Sequence, residues 1–151
     1  MSKITPFLWF DGQLEEAVNF YTAVFKDSKI KHSVNGPDGK LMTATFELSG
    51  QEFMGLNAGP QFKFTEAVSF FVKCETQQEV DYYWNKLTAD GGEESMCGWL
   101  KDKFGLSWQI IPDALGELMF TSNQDKSQKV MQAMMKMKKI VIADLEAAYN
   151  S

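Results

Sequence analysis

The sequence predicts an α+β fold in which a βαβββ module occurs twice and is followed by C-terminal helices. Three observations predict it. The apolar period switches from two residues to about 3.6, first from "ITPFLWF" to "DGQLEEAVNFYTAVFKD" and again from "AVSFFVKCE" to "TQQEVDYYWNKLTADGG". A shift of 63 positions overlays the halves, with Phe7 on Phe70, Leu8 on Phe71, Glu16 on Glu79, Phe20 on Tyr83, Tyr21 on Trp84 and Val24 on Leu87. The final stretch, "ALGELMFTSNQDKSQKVMQAMMKMKKIVIADLEAAYNS", is helical in composition with a break near Ser122–Asp125.

The elements follow in order. "ITPFLWF" is a strand. The first helix carries an apolar stripe of Leu14, Ala17, Val18, Phe20, Tyr21, Val24 and Phe25, with Asp11 or Gly12 at its start. "SKIKHSV" is a strand, "NGPDGK" a loop, "LMTATFEL" a strand, and "SG" turns it into "QEFMGLNA". In the second module Thr76 is placed as N-cap with Glu79 three residues on, a capping-box spacing, and Gly91 ends the helix. "EESMCGWL" and "LSWQIIP" complete it, joined by a bend at Gly105. The expected organisation is one domain over residues 1–151, with modules at ~4–60 and ~66–112 and a helical tail at ~114–150. Neither module buries its sheet alone.

Composition excludes several functions. A net charge of −5 with no Lys/Arg stripe among the aromatic segments argues against nucleic acid. "KMKK", Lys136–Lys139, is a solvated helix face. No apolar run approaches the ~20 residues that span a bilayer, and the start shows no signal peptide. Cys74 and Cys97 form no CxxC pair, so free thiols in the cytoplasm are expected. Met131, Met134, Met135 and Met137 offer an adaptable surface for core or dimer packing.

Strand alternation sorts the side chains into two faces. Phe7, Trp9, Met42, Phe46, Phe70, Val72, Trp108 and Ile110 are the bulky set expected under the helices. Thr43, Thr45, Glu47, Asn57, Ser69, Ser107 and Gln109 fall opposite, mixed with Leu8, Phe10, Phe53 and Phe71. An apolar surface with a few polar groups suits a small-molecule site.

The segments "PFLWFDGQLEEAVNFYTAVF", "GPDGKLMTATFELSGQEFMGLNAGP" and "CGWLKDKFGLSWQIIP" resemble the PhnB-like branch of the vicinal-oxygen-chelate superfamily, the glyoxalase, bleomycin-resistance and dioxygenase group. "KVMQAMMKMKKIVIADLEAAY" in the tail is similar to that branch as well. The resemblance implies a cup-shaped mixed sheet formed by the two modules, and a homodimer. It also implies a divalent metal held inside the cup by imidazole and carboxylate side chains. The corresponding positions here are Pro6, Phe53, Ala67 and Gln109, which offer no such set. His32, the only histidine, lies elsewhere.

No cofactor is therefore expected. Phe10, Thr45, Phe53, Asn57, Ser69, Phe71, Trp99 and Gln109 are the candidate contacts for a small apolar or aromatic molecule, with Gln109 orienting it. The alternative is a lyase, isomerase or dioxygenase with a divergent metal site or with Glu47 as base. Cys97 is a second catalytic candidate, against the favoured reading of a passive buried thiol. No G-x-G-x-x-G follows a strand, so S-adenosylmethionine chemistry of the usual parallel-sheet kind is not expected.

Overall fold

A two-residue hairpin turn controls the first half of the chain. In the computed structural model, which describes residues 2–151, Ser49 and Gly50 both take left-handed φ values, +48° and +87°. That geometry joins β3 (Leu41–Leu48) tightly to β4 (Gln51–Asn57) and pairs Leu48 with Gln51 and Phe46 with Phe53. With β1 (Phe7–Phe10), α1 (Leu14–Val24) and β2 (Lys29–Asn35), these strands form a unit ending at Phe64. Its sheet runs β1-β4-β3-β2, with β1 parallel to β4 and the other neighbours antiparallel.

The hairpin register corrects the expected faces. Phe46 and Phe53 are cross-strand partners, stacked with ring centroids 5.6 Å apart, and both are buried. Phe53 cannot share a face with Thr45, because a pair directly across a ladder points to one side. In β1, Leu8 and Phe10 are buried while Phe7 is 53% exposed, the reverse of the expected phase. The cause is Gly55, opposite Leu8: a Cβ there would fall 2.6 Å from Leu14 Cδ1, so the missing side chain lets α1 settle on this face.

Nor does α1 start as expected. Its N-cap is Gln13, which makes no side-chain cap. Asn57, at the end of β4, accepts from the Leu14 N–H at 3.0 Å and donates to the Leu41 carbonyl at 2.9 Å. One carboxamide thus caps a helix and ties it to β3.

The second unit, Thr65–Ser151, repeats the module and adds the tail. It comprises β5 (Ser69–Cys74), α2 (Gln77–Thr88), a single 3-10 turn (Ala89–Gly91), β6 (Glu93–Glu94), β7 (Trp99–Lys101) and β8 (Ser107–Pro112). Helices α3 (Asp113–Met119), α4 (Gln124–Met134) and α5 (Ile142–Tyr149) follow. The sheet order is β5-β8-β7-β6, with β5 parallel to β8. Thr76 caps α2 as expected, accepting from Glu79 N–H at 3.1 Å; Glu79 returns the favour to Glu75 N–H, one residue earlier than a capping box requires.

Here the expected faces hold. Trp108 and Ile110 are buried, the Phe70 ring lies 5.5 Å from that of Trp108, and α2 packs against β7 and β8. The 63-residue shift therefore matches the helices, where Tyr21 and Trp84, and Val24 and Leu87, are all buried. It is one residue out of phase for the strands, and such a slip exchanges the faces.

β8 is buried on both sides. Ile111 joins Leu115, Val130, Ile140 and Leu145 in a second apolar cluster, with Met134 and Met137 packed against it. Met131 and Met135 stay exposed. The tail breaks after α3 as expected, and again between α4 and α5, where composition showed no interruption. Two backbone bonds anchor that second break, Cys97 N–H to Met137 O and Gly98 N–H to Lys138 O, both 2.8 Å. Gln77 adds two more, donating to Ile140 O at 3.0 Å and accepting from Ile142 N–H at 2.8 Å. Among the described residues no helix is long and apolar enough to cross a membrane.

The link between β7 and β8 turns on Asp102, only 2% exposed. Its Oδ1 accepts from Phe104 N–H at 2.9 Å and Leu106 N–H at 3.1 Å, and its Oδ2 accepts from Trp108 Nε1 at 2.9 Å. Asp102→Ala is expected to cost about 3 kcal/mol, because three donors lose a charged acceptor. Urea unfolding should show a lower midpoint at unchanged slope. Asn57→Ala should cost about 1–2 kcal/mol by the same assay, through the lost helix cap; an unchanged midpoint would refute the capping role.

Candidate functional site

On the open face of the second unit, the ladder sets side chains in rows. Phe71, Gln109 and Trp99 are paired across β5, β8 and β7 and so point to one side. Ser69, Ser107 and Lys101 form the next row, and Lys73 pairs with Ile111 on the other side of it. Gln109 Nε2 donates to Ser69 Oγ at 2.9 Å, which holds the carboxamide at one end of its row. Lys101 is ion-paired with Glu66. Ser107 Oγ is buried and makes no hydrogen bond within the protein.

Over this face lies a cleft of about 470 Å³. Phe71, Lys73, Cys97, Trp99, Gln109 and Ile111 form its sheet wall. Pro112 ends the β8 side, and Asp113, Leu115, Gly116 and Met119 of α3 form the facing wall, with Phe120 and Met134 also lining the cleft. The volume falls in the range that houses a drug-sized ligand, and the lining is apolar with few polar groups. Phe71 is 57% exposed, an aromatic ring left open at the floor of a groove.

The eight expected contact residues divide between the units. Phe71, Trp99 and Gln109 line the cleft, and Ser69 adjoins it through Gln109. Thr45 lies half-buried on the open face of the first unit's sheet, paired with Met54. Phe10, Phe53 and Asn57 lie on its helix-covered face, Asn57 as the α1 cap. The sequence held the signal that places Phe53, since a two-residue "SG" turn dictates the Phe46–Phe53 pair. It held no signal for Met119, Phe120 and Met134, which reach the cleft only through the packing of α3 and α4.

The catalytic candidates are also separated. Glu47 pairs with Lys31 at 3.5 Å and Lys29 at 4.0 Å, in a recess of about 170 Å³ shared with Thr5 and Glu52. The Glu52 carboxyl sits below the usual range, chiefly through its hydrogen bond from Lys31 and then that from Thr5. Cys97 lines the cleft, in a left-handed conformation with φ +60°. Cys74 is fully buried, and burial, with help from Glu79 and Asp113, pushes its thiol up to about 12.

The donor set does not fit the metal that the resemblance implies. Pro6 and Ala67 have no side-chain donor, Phe53 is stacked on Phe46, and Gln109 offers only an uncharged carboxamide oxygen. No group of three His, Cys, Asp or Glu able to hold a metal ion occurs among the described residues.

Two βαβββ modules, each with one parallel edge pair and a helix on one face, define the vicinal-oxygen-chelate class of fold. The chain belongs to its PhnB-like family, described as 3-demethylubiquinone-9 3-methyltransferase, whose pattern matches residues 2–111. The PhnB protein from Bacillus cereus is 40% identical, with a TM-score of 0.69 over 74% of this chain and 99% of that one. A protein of known structure from Pseudomonas aeruginosa is 20% identical, with a TM-score of 0.64 over 74% of this chain and 98% of that one. Among proteins of curated function none matches the sequence. The family match stops at Ile111, whereas the likeness read from the sequence extended into the tail.

Thiol chemistry separates the two cysteines. With a chromogenic disulfide at pH 8, one thiol per folded chain should react promptly and the second only on unfolding. Cys97→Ser should remove the fast phase; retention of that phase would show that Cys74 is accessible.

Proposed function

We propose that this PhnB-like protein binds a small apolar or aromatic molecule in the cleft of its second unit, without a metal ion. The observation that carries the proposal is the row of Phe71, Gln109 and Trp99 facing a cleft of about 470 Å³. Phe71 offers an exposed ring face for stacking, and Trp99 lies two strands away in the same row. Gln109, held by Ser69, presents a carboxamide that both donates and accepts, so it fixes the orientation of a polar substituent. The single-domain organisation and the homodimer expected from the sequence remain part of the proposal. Methyl transfer, which the family description names, is not proposed, because the sequence lacks the glycine-rich strand-to-helix loop expected for the methyl donor.

Phenylnaphthylamine, an uncharged probe whose fluorescence rises in apolar surroundings, tests the proposal. It should bind saturably to the untagged protein, and a chelator should leave the titration unchanged. Phe71→Ala should weaken binding about tenfold, the loss of one well-placed ring contact. Absence of saturable binding, or indifference to Phe71→Ala, would sink the proposal.

A further inference from the structure

If the cleft is the ligand site, its two walls have different origins. The sheet wall ends at Pro112, one residue past the end of the family match, and the facing wall comes from the helices beyond it. We propose that the C-terminal helices determine which ligand this chain accepts, and that they select an uncharged molecule larger than a single aromatic ring.

The base of the helical wall is held firmly. Cys97, itself in the cleft, takes part in a backbone bond to Met137, and Gly98 in one to Lys138. Gly98 has φ +82°, and a Cβ there would lie 2.7 Å from Ile111 Cδ1 and 3.1 Å from Ile140 Cγ1. Only glycine lets the tail lie this close to the sheet. Ser127 Oγ donates to Met119 O at 2.8 Å, joining the first turn of α4 to the end of α3.

The rim is adaptable by contrast. Met119 and Met134 are unbranched thioethers that repack around differently shaped ligands. Phe120, just past α3, is 89% exposed although it lines the cleft, so it reaches over the mouth without serving the core. A single ring stacked on Phe71 would leave much of a cleft of about 470 Å³ empty, and a second ring would take up space lined by Phe120, Met119 and Met134.

Charge sets the other limit. Lys73 and Asp113 line the cleft with opposite charges, so the lining has no net formal charge. An anion pairing with Lys73 would lose its hydration and meet the Asp113 carboxylate in the same lining, and a cation pairing with Asp113 would meet Lys73.

The test uses the full chain and three probes: aniline, read by its displacement of phenylnaphthylamine, phenylnaphthylamine itself, and anilinonaphthalene sulfonate. Phe120→Ala is the informative variant, with Met135→Ala as control, because Met135 is exposed and lies outside the cleft lining. Phe120→Ala should weaken phenylnaphthylamine about fivefold and leave aniline within about twofold, with Met135→Ala changing neither. The wild-type chain should bind the sulfonate more weakly than its uncharged counterpart. Equal loss of both amines, no loss, or an equal effect of Met135→Ala would overturn the role of the helices. Tighter binding of the sulfonate would overturn the selection for uncharged ligands. Binding that depends on Phe71 but not on Phe120 would defeat this inference alone, while binding indifferent to both would defeat the proposed site with it.

Discussion

The carboxylate of Asp102 organises the part of the molecule on which function is proposed to depend. It is buried, so its charge is tolerable only because three donors converge on it. Two of these donors are backbone groups of the link before β8, and the third is the indole of Trp108. The link and the strand are thereby fixed together: Trp108 is held toward α2, and alternation turns Gln109 to the opposite side. Trp99, paired with Gln109 on the adjacent strand, follows it. A polar group in the core thus decides which face of the sheet remains open.

The same strand explains why the tail belongs to the second unit. A sheet of this kind, antiparallel but for its β5–β8 pair, covers one face with its module helix and leaves the other exposed. Here Ile111 extends beyond the cover of α2 and acquires its own apolar cluster from α3, α4 and α5. That cluster roofs only part of the open face. The uncovered part, around Phe71, is the cleft. The helices that bury Ile111 also wall the cleft, which is why specificity is proposed to lie outside the segment that defines the family.

In the first unit, control lies with two residues that carry no apolar bulk. Gly55 admits Leu14 to the sheet, and Asn57 closes the open end of α1. Both act through what they permit or satisfy rather than through area buried. A polar residue at the end of a strand therefore reads like a ligand contact until its partners are known. Asn57 has two backbone partners, and that accounts for its presence in the helix-covered layer.

The sequence by itself determined the repeated module, the helical tail and the open face of the second unit. Those features depend on local periodicity and turn chemistry, which are written in neighbouring residues. The phase of β1 and β4 was partly legible, because the two-residue turn at Ser49–Gly50 sets Phe46 against Phe53. Counting bulky side chains instead reversed that phase, since Phe7 and Trp9 are as large as Leu8 and Phe10. Only the tertiary structure decided that Leu14 meets Gly55, that Asn57 caps a helix 43 residues earlier, and that α3 and α4 wall the cleft. Each is a contact between distant segments whose cost and gain depend on space left by other side chains, and no local pattern encodes that space.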